Sequence, residues 1–366
     1  MLRRAVLVLL SGVACVGCSG GGPKTRLGSL PFPGVLSLWD TADPQDLGEH
    51  VSEVGSANAL AESSRGTVYT CKAGFVDLAH LRESADWTRY AYEHILRAFE
   101  ERSEWATFRD DYHAEYRVAL RIPETWSRFT AEARRSEAER AARVAAQRIA
   151  YLAMTWHEVA TWFGDRIIIF IPEDRSSFTY DDMVAHVIGV RLGGDALAMV
   201  SRGEAATFDE AMTIALGREM LRLDAKGKDE TYLAARAVEG RWWEGESCTK
   251  RQVATGLDGG VLAPWVVPGL DACAGVSAEP QRLSWEDPAT LRSLAHVLGT
   301  VEMRSVHFAE DLGLAPGAVR PSAAFSGQRP QVSSEGWVAA NDFMRRSTEV
   351  VHDSMEGEFG TGFDRP

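Results

Sequence analysis

The longest pattern in the sequence is a segment with helical periodicity that covers residues 131–163. It begins with charged residues and alanines, and it then carries an apolar stripe that consists of Ile149, Leu152, Trp156, Val159 and Phe163. Residues three or four positions apart lie on one face of an α-helix, so the stripe predicts a long helix with one buried face. Gly164 follows at a position where helices commonly end.

A second helix and a strand are predicted on the amino-terminal side of this segment. Apolar residues recur at helical spacing over residues 78–101. Over residues 112–122 an apolar face alternates with a charged face, which is typical of a half-buried β-strand, and Pro123 stops the strand.

The remaining predicted elements are shorter. We expect helices over residues 179–192, 207–224, from 287 onward and over 337–355, strands over 166–171 and 301–308, and a hairpin within 256–268. In the helix at 179 the Thr179 hydroxyl is expected to act as the cap. No long polar linker divides the chain. The sequence therefore predicts an α+β fold, predominantly helical with a few short strands, as a single domain over residues 51–366.

The amino terminus has the pattern of an export signal. Arg3 and Arg4 precede an apolar run at positions 5–13, and small residues follow up to Cys18. This ending resembles a bacterial lipobox, so residues 1–17 are predicted to be a signal peptide and Cys18 to be lipidated. Residues 18–50 then form the lipidated cysteine and a flexible tether. The alternative is a plain secreted protein, cleaved after Ala14 or Gly17.

These features predict where the protein works. Ser19 follows Cys18 where an aspartate would favour the inner membrane, by resemblance to known lipoproteins, so we expect an outer-membrane lipoprotein with a palmitate-containing anchor that faces the periplasm. The formal net charge is −13, from 39 basic and 52 acidic residues. Such acidity excludes a nucleic-acid partner and leaves membrane attachment to the lipid. Beyond the amino terminus we expect no membrane-spanning stretch. A protein or cell-wall partner stays open.

Three cysteines remain after the signal and the lipidated residue, and an oxidising envelope favours the pairing of two of them. Cys248 and Cys273 flank a loop-rich segment that a disulfide would constrain, which leaves Cys71 as the odd thiol. Cys71 is then either a small buried apolar side chain or a reactive nucleophile.

Two local arrangements of residues are suited to metal chemistry. Asp77 and His80 are three positions apart at the start of a predicted helix, where they can share a face and bind one metal ion. The alternative is that Asp77 only caps the helix by accepting the backbone N–H of His80. His157-Glu158 begins like the HExxH helix of zinc proteases, but Thr161 occupies the position of the second histidine. The alternative for His157 is a hydrogen-bonded interior residue.

The sequence also resembles a known family through four segments. These are YTCKAGFVDLAHLR (residues 69–82), HEVATWFG (157–164), SSFTYDDM (176–183) and GLDGGVLAPWVVP (256–268). They are similar to an uncharacterised family of bacterial envelope lipoproteins, a domain of unknown function. The resemblance implies lipidation and a single domain over most of the mature chain, and it implies no activity, cofactor or catalytic residue.

Three functions are consistent with these patterns. The first is a metal-dependent hydrolase that holds a divalent transition metal such as zinc on Asp77, His80 and His157, with His50 or His186 in reserve and Glu158 as general base. The second is a cysteine hydrolase with Cys71 as nucleophile. The third is a non-enzymatic envelope protein that binds a partner, a lipid or a wall polymer.

Overall fold

In the computed structural model of the 366-residue chain, the structure describes Pro23 and residues 41–52, 66–110, 114–163, 176–245, 247–257, 261–279, 281–282, 288–305 and 336–366. The predicted signal peptide, Cys18 and the strand expected over residues 166–171 lie outside these ranges, and so does most of the predicted tether.

Helices form most of the described part of the chain. They are α1 (Leu78–Glu100), α2 (Ala131–Trp162), α3 (Asp182–Ser201), α4 (Phe208–Arg222), α5 (Lys228–Ala237), α6 (Pro288–Leu294) and α7 (Ala340–Phe359). The strands are β1 (Thr67–Thr70), β2 (Gly74–Asp77), β3 (Trp105–Arg109), β4 (Ala114–Leu120), β5 (Trp243–Glu244), β6 (Ser247–Cys248), β7 (Val261–Leu262), β8 (Gln281–Arg282), β9 (Leu298–Ser305) and β10 (Val338–Ala339). The predicted α+β class with predominant helix is therefore confirmed.

The core is built on the packing of α1, α2 and α3 against one another. Gly189 allows α3 to approach α1 closely, because a Cβ at this position would collide with the backbone oxygen of Leu81. Gly194 similarly leaves room for the side chain of Gln147, whose amide donates to the carbonyl oxygen of Val190 at 3.1 Å. This close approach brings the amino-terminal turns of α1 and α3 side by side.

Two of the four sheets in the described part of the chain lie beside helix α1 of this core. The larger is antiparallel, with the strand order β10-β9-β4-β3, and the smaller is the hairpin of β1 and β2. In β4 the residues Ala114, Tyr116, Val118 and Leu120 are buried and alternate with half-buried ones, as the sequence predicts. The β1–β2 hairpin leads directly into α1, so its position fixes the start of that helix.

The helix predictions are largely confirmed, and two local predictions are wrong. Observed α1 and α2 differ by one residue at their ends from the expected spans, and the Thr207 hydroxyl caps α4 by accepting from Glu210 N. Helix α3 runs to Ser201 rather than Leu192, because Gly193 and Gly194 pack inside the helical core instead of ending the helix. Among the described residues of the hairpin expected within 256–268, Val261 and Leu262 (β7) pair with β8 and not with residues 256–257.

The disulfide differs from the expected one. Cys71, in the turn between β1 and β2, is bonded to Cys273, while Cys248 is a buried free thiol. The expected Cys248–Cys273 pair is therefore wrong, and so is the interpretation of Cys71 as a nucleophile, because a disulfide sulfur is no thiolate. The cause is long-range folding. The turn between β1 and β2 packs against the backbone at Trp265, and this packing brings the segment after Trp265, which carries Cys273, to Cys71.

By length and composition alone, helix α3 is long and apolar enough to cross a membrane. The expectation that no stretch beyond the amino terminus has this length and composition is therefore wrong. The most apolar 18 residues of this helix are 78% buried inside the protein, and the helix lies in the core between α1, α2 and α4. Its apolar character is that of a core helix.

The disulfide yields a test on intact protein. Cys71–Cys273 closes a loop with a sequence separation of 202 residues, so replacing both by serine should lower the free energy of unfolding by about 5 kcal/mol. Cys248 should stay unlabelled by iodoacetamide in the native state, because burial raises the pKa of its thiol to about 12. Urea denaturation and mass mapping of alkylated peptides measure both effects. A native Cys71 peptide that alkylates without reduction would contradict the assignment.

Candidate metal centre

Three helix segments meet at one buried cluster of imidazoles and carboxylates. His80 lies in the first turn of α1, His157 and Glu158 lie near the end of α2, and His186 lies in the second turn of α3. The packing of α1, α2 and α3 brings these three segments together.

Asp77 holds the first of these residues in place. Its Oδ1 accepts the backbone N–H groups of Ala79 at 2.7 Å and His80 at 3.0 Å, so its interpretation as the helix cap is confirmed. The same oxygen lies 3.3 Å from Nδ1 of His80, and Oδ1 of Asp182 lies 3.7 Å from that nitrogen. The Nδ1 edge of the ring therefore faces carboxylates, and Nε2 is directed to the other side.

The imidazoles of His80, His157 and His186 all present Nε2 to one oxygen of Glu158. The distances to Oε1 are 3.0 Å from His186, 3.8 Å from His157 and 3.9 Å from His80. In a tetrahedral zinc site with bonds of 2.0–2.1 Å, neighbouring ligand atoms are about 3.3 Å apart. The separations from His157 and His80 are about 0.5 Å longer than that value, so these side chains would move closer together around a bound ion.

His80, His157 and Glu158 form the group best suited to bind one ion. Each offers one ligand atom, and these atoms lie within 4.8 Å of one another. Asp77 is outside this group, behind the ring of His80, although the sequence pattern suggested it as a ligand. His186 contacts the group through Glu158. His50 is elsewhere, because its Nε2 bonds Asp86 at 2.9 Å.

The two oxygens of Glu158 have different surroundings. Oε2 accepts the backbone N–H of Phe178 at 2.7 Å, while Oε1 faces the imidazoles. Ser177 also donates its hydroxyl to the carbonyl oxygen of Glu158 at 2.5 Å. These contacts hold the carboxylate in a fixed orientation. Oε1 is thus one of the three possible ligand atoms, and the expected role of Glu158 as general base stays a prediction.

The ring of His186 is also held in place by a contact at its second nitrogen, Nδ1. Nδ1 lies 3.2 Å from Oγ of Ser84, and that hydroxyl lies 2.7 Å from the carbonyl oxygen of His80. Because ionised Glu158 can only accept, Nε2–H of neutral His186 donates to its Oε1 at 3.0 Å, and Nδ1 is then the acceptor nitrogen that faces the Ser84 hydroxyl.

The cluster is nearly closed to solvent and opens at His80. Side-chain exposure is 0% for His186, 2% for Glu158 and 9% for His157, but 15% for His80. A small molecule can therefore reach the centre most directly past the ring of His80.

Burial and neighbouring charges shift the pKa values of these groups in different directions. Burial lowers the pKa of His157 to about 3, and it also lowers the pKa of His186, so both rings are neutral at pH 7. Burial alone would raise the pKa of Glu158, but the His186 hydrogen bond and the neighbouring imidazoles lower it to about 2. Burial opposes protonation of His80, yet Asp77, Asp182 and Glu158 raise its pKa well above the usual value.

Two more carboxylates border the centre at the start of α3. Burial and the charge of Asp77 raise the pKa of Asp181 to about 6, and burial and the charge of Glu158 raise the pKa of Asp182 well above its usual value. The Thr179 hydroxyl lies 2.7 Å from an oxygen of each. It therefore bonds the carboxylates instead of capping the helix as expected. This region is short of positive charge.

The fold and the site define a mostly helical α+β protein with a buried histidine–carboxylate cluster. The chain belongs to the family DUF4056, described as a protein of unknown function, whose model matches residues 11–252. That region contains every residue of the cluster, while Cys273 lies beyond it. No curated protein and no solved structure matches the chain.

Sequence reasoning identified His80, His157 and Glu158 but gave His186 only a reserve role. The signal that points to His186 is its place four residues after Asp182, because that spacing puts both side chains on one face of α3.

The carboxylate excess predicts a pH-dependent effect of Asp181→Asn. The folded pKa of Asp181 is raised, so the destabilisation that its ionisation causes is absent below the unfolded pKa, grows as pH rises from there to about 6, and is constant at higher pH. In chelator-treated protein the variant should be more stable than the wild type by about 2 kcal/mol at pH 8 and by about half of that at pH 5. Urea denaturation measures this, with the exposed Asp229→Asn as control. An equal effect at both pH values would contradict the raised pKa.

Proposed function

We propose that this protein is a metal-dependent hydrolase of the cell envelope, with one divalent transition metal such as zinc bound by His80, His157 and Glu158. The observation that carries the proposal is the convergence of three Nε2 atoms on one carboxylate oxygen, at 3.0, 3.8 and 3.9 Å. Two imidazoles and a carboxylate are a common ligand set of catalytic zinc, which keeps a further position open for water. His80, whose pKa is raised by the neighbouring carboxylates, would release its proton on binding the ion.

The charge balance of the region supports a cation. Asp77 and Glu158 have lowered pKa values and are ionised at pH 7, and Asp181 and Asp182 add acidic groups next to them. Burial keeps His157 and His186 neutral, so of the three imidazoles His80 alone, whose pKa these carboxylates raise, offsets part of the negative charge. Buried charge without a partner is unfavourable, and a divalent ion would neutralise it.

The surroundings of the cluster also support metal binding. Asp77 faces Nδ1 of His80 at 3.3 Å, an arrangement that orients a metal-bound imidazole and raises its basicity. In this proposal Glu158 is a ligand rather than the general base, and Asp77 orients His80 rather than binding the ion. A zinc ion here would lower the pKa of its bound water and polarise a substrate carbonyl or phosphoryl oxygen.

A second candidate is the non-enzymatic envelope protein. It is favoured by the hydrogen bonds Glu158–His186 and Glu158–Phe178, which form a network that needs no metal. Such a network can serve packing alone. Metal content separates the two candidates.

We propose the envelope location on the amino-terminal pattern, with residues 1–17 as signal peptide and Cys18 as the lipidated residue of an outer-membrane lipoprotein that faces the periplasm. The Cys71–Cys273 disulfide supports this location, because disulfides persist in oxidising compartments outside the cytosol.

Metal analysis tests the proposed centre. Protein purified in detergent without chelators or a histidine tag should contain about one equivalent of zinc or another transition metal, and His80→Ala with His157→Ala should remove it. Zinc at about 100 times its dissociation constant should stabilise the folded chain by about 2.7 kcal/mol. His296→Ala is the control, since this histidine is exposed and pairs only with Glu137 among the described residues. A wild-type protein that takes up no metal after reconstitution would leave the binding-protein candidate.

Fractionation tests the proposed anchor. Wild-type chain should sediment with outer membranes and incorporate labelled palmitate, whereas Cys18→Ala should do neither. Cys15→Ala is the matched control and should behave as the wild type, because only Cys18 follows the lipobox-like ending. Soluble wild-type protein in the periplasm would instead support simple secretion.

A further inference from the structure

Thr161 has a buried hydroxyl whose bonding differs from that of other buried helical hydroxyls. Its side chain is 3% exposed, and Oγ1 has no hydrogen-bond partner in the described part of the chain. Thr88, Thr155 and Ser347 are also buried in helices, and each donates to the carbonyl oxygen four residues earlier, at 2.8–2.9 Å. The equivalent acceptor for Thr161 is the carbonyl oxygen of His157, and that bond is not formed.

A buried hydroxyl that forgoes an acceptor within its own helix is unfavourable for folding. Leaving a polar group without a partner in the interior costs free energy, and native proteins keep few such groups. The unpaired buried polar groups that native proteins do keep commonly take part in function, or they are completed by a hydrogen bond to a bound water molecule or ion. The Thr161 hydroxyl is therefore available to a small ligand.

Helix geometry relates Thr161 to the proposed metal centre. It lies four residues after His157 and three after Glu158, so the three side chains share one face of α2. Side chains in a helix lean toward its amino terminus, which directs the Thr161 hydroxyl back over His157. It thus occupies the place where an HExxH helix would carry its second histidine.

We propose that the Thr161 hydroxyl hydrogen-bonds the exchangeable ligand of the metal, which is a water molecule at rest and an oxygen of an anionic or carbonyl substrate during turnover. This inference rests on the metal centre proposed above. His80, His157 and Glu158 hold the ion, and Thr161 orients what binds to its open position. The hydroxyl is suited to this because it is both donor and acceptor.

The experiment uses the full chain in detergent, loaded with cobalt, whose visible spectrum reports on ligands at the metal. Azide is the probe, because it replaces bound water and accepts a hydrogen bond. The Thr161→Val variant should still bind one cobalt ion, but the dissociation constant of azide for the cobalt-loaded variant should rise about tenfold. This change corresponds to the loss of one hydrogen bond to a charged group. Thr161→Ser should keep the wild-type value.

The matched control is Thr155→Val on the same helix. It should leave azide binding unchanged and lower the melting temperature, because it removes the bond to Tyr151. Thr161→Val should melt no lower than the wild type, since it removes a hydroxyl without a partner among the described residues.

The possible results separate this inference from the proposed function. Cobalt binding with unchanged azide affinity in Thr161→Val would overturn the role of Thr161 and leave the metal centre standing. A lower melting temperature in that variant would likewise overturn it, by showing a structural role. A wild-type chain that binds no cobalt would overturn both proposals.

Discussion

The Glu158 carboxylate is the group on which the arrangement of the helical core depends. It is ionised, 2% exposed and situated near the end of the longest helix of the described chain. A buried charge is tolerated only where hydrogen bonds and opposite charges replace its hydration. Phe178 N–H and His186 supply these contacts, and they come from the segment before α3 and from α3 itself. The position of α3 against α2 is therefore coupled to this one side chain.

The surrounding fold is built to keep the partners of Glu158 in place. Helix α3 approaches α1 so closely at Gly189 that a Cβ there would collide with the backbone of α1. At this helix contact Ser84 of α1 touches His186 of α3. The Asp77 cap fixes the first turn of α1, and the Cys71–Cys273 disulfide holds the hairpin that precedes it. Core packing, helix capping and the covalent link thus act on the same few residues, and together they limit how far His80 can move.

The sequence predicted the elements better than it predicted their assembly. Periodicity located α1, α2 and β4, because the burial of one face leaves a local pattern. The disulfide partner was wrong because Cys71 and Cys273 meet through folding over a separation of 202 residues, which no local pattern records. His186 was underestimated for the same reason. Its importance arises from contact with Glu158 on another helix, and spacing within α3 gives only the face on which it lies.

The departure from HExxH changes what a metal would do in this fold. In that motif one helix supplies both histidine ligands, whereas here the helix carries Thr161 at the second histidine position, and the second histidine, His80, comes from α1. A metal bound by His80, His157 and Glu158 would therefore join two helices whose contact is otherwise maintained by packing. Its binding free energy would add to the stability of the folded state, because ligands on separate helices are not assembled in the unfolded chain. The partial exposure of His80 would still leave one approach for a substrate, so the same ion can stabilise the core and remain accessible for chemistry.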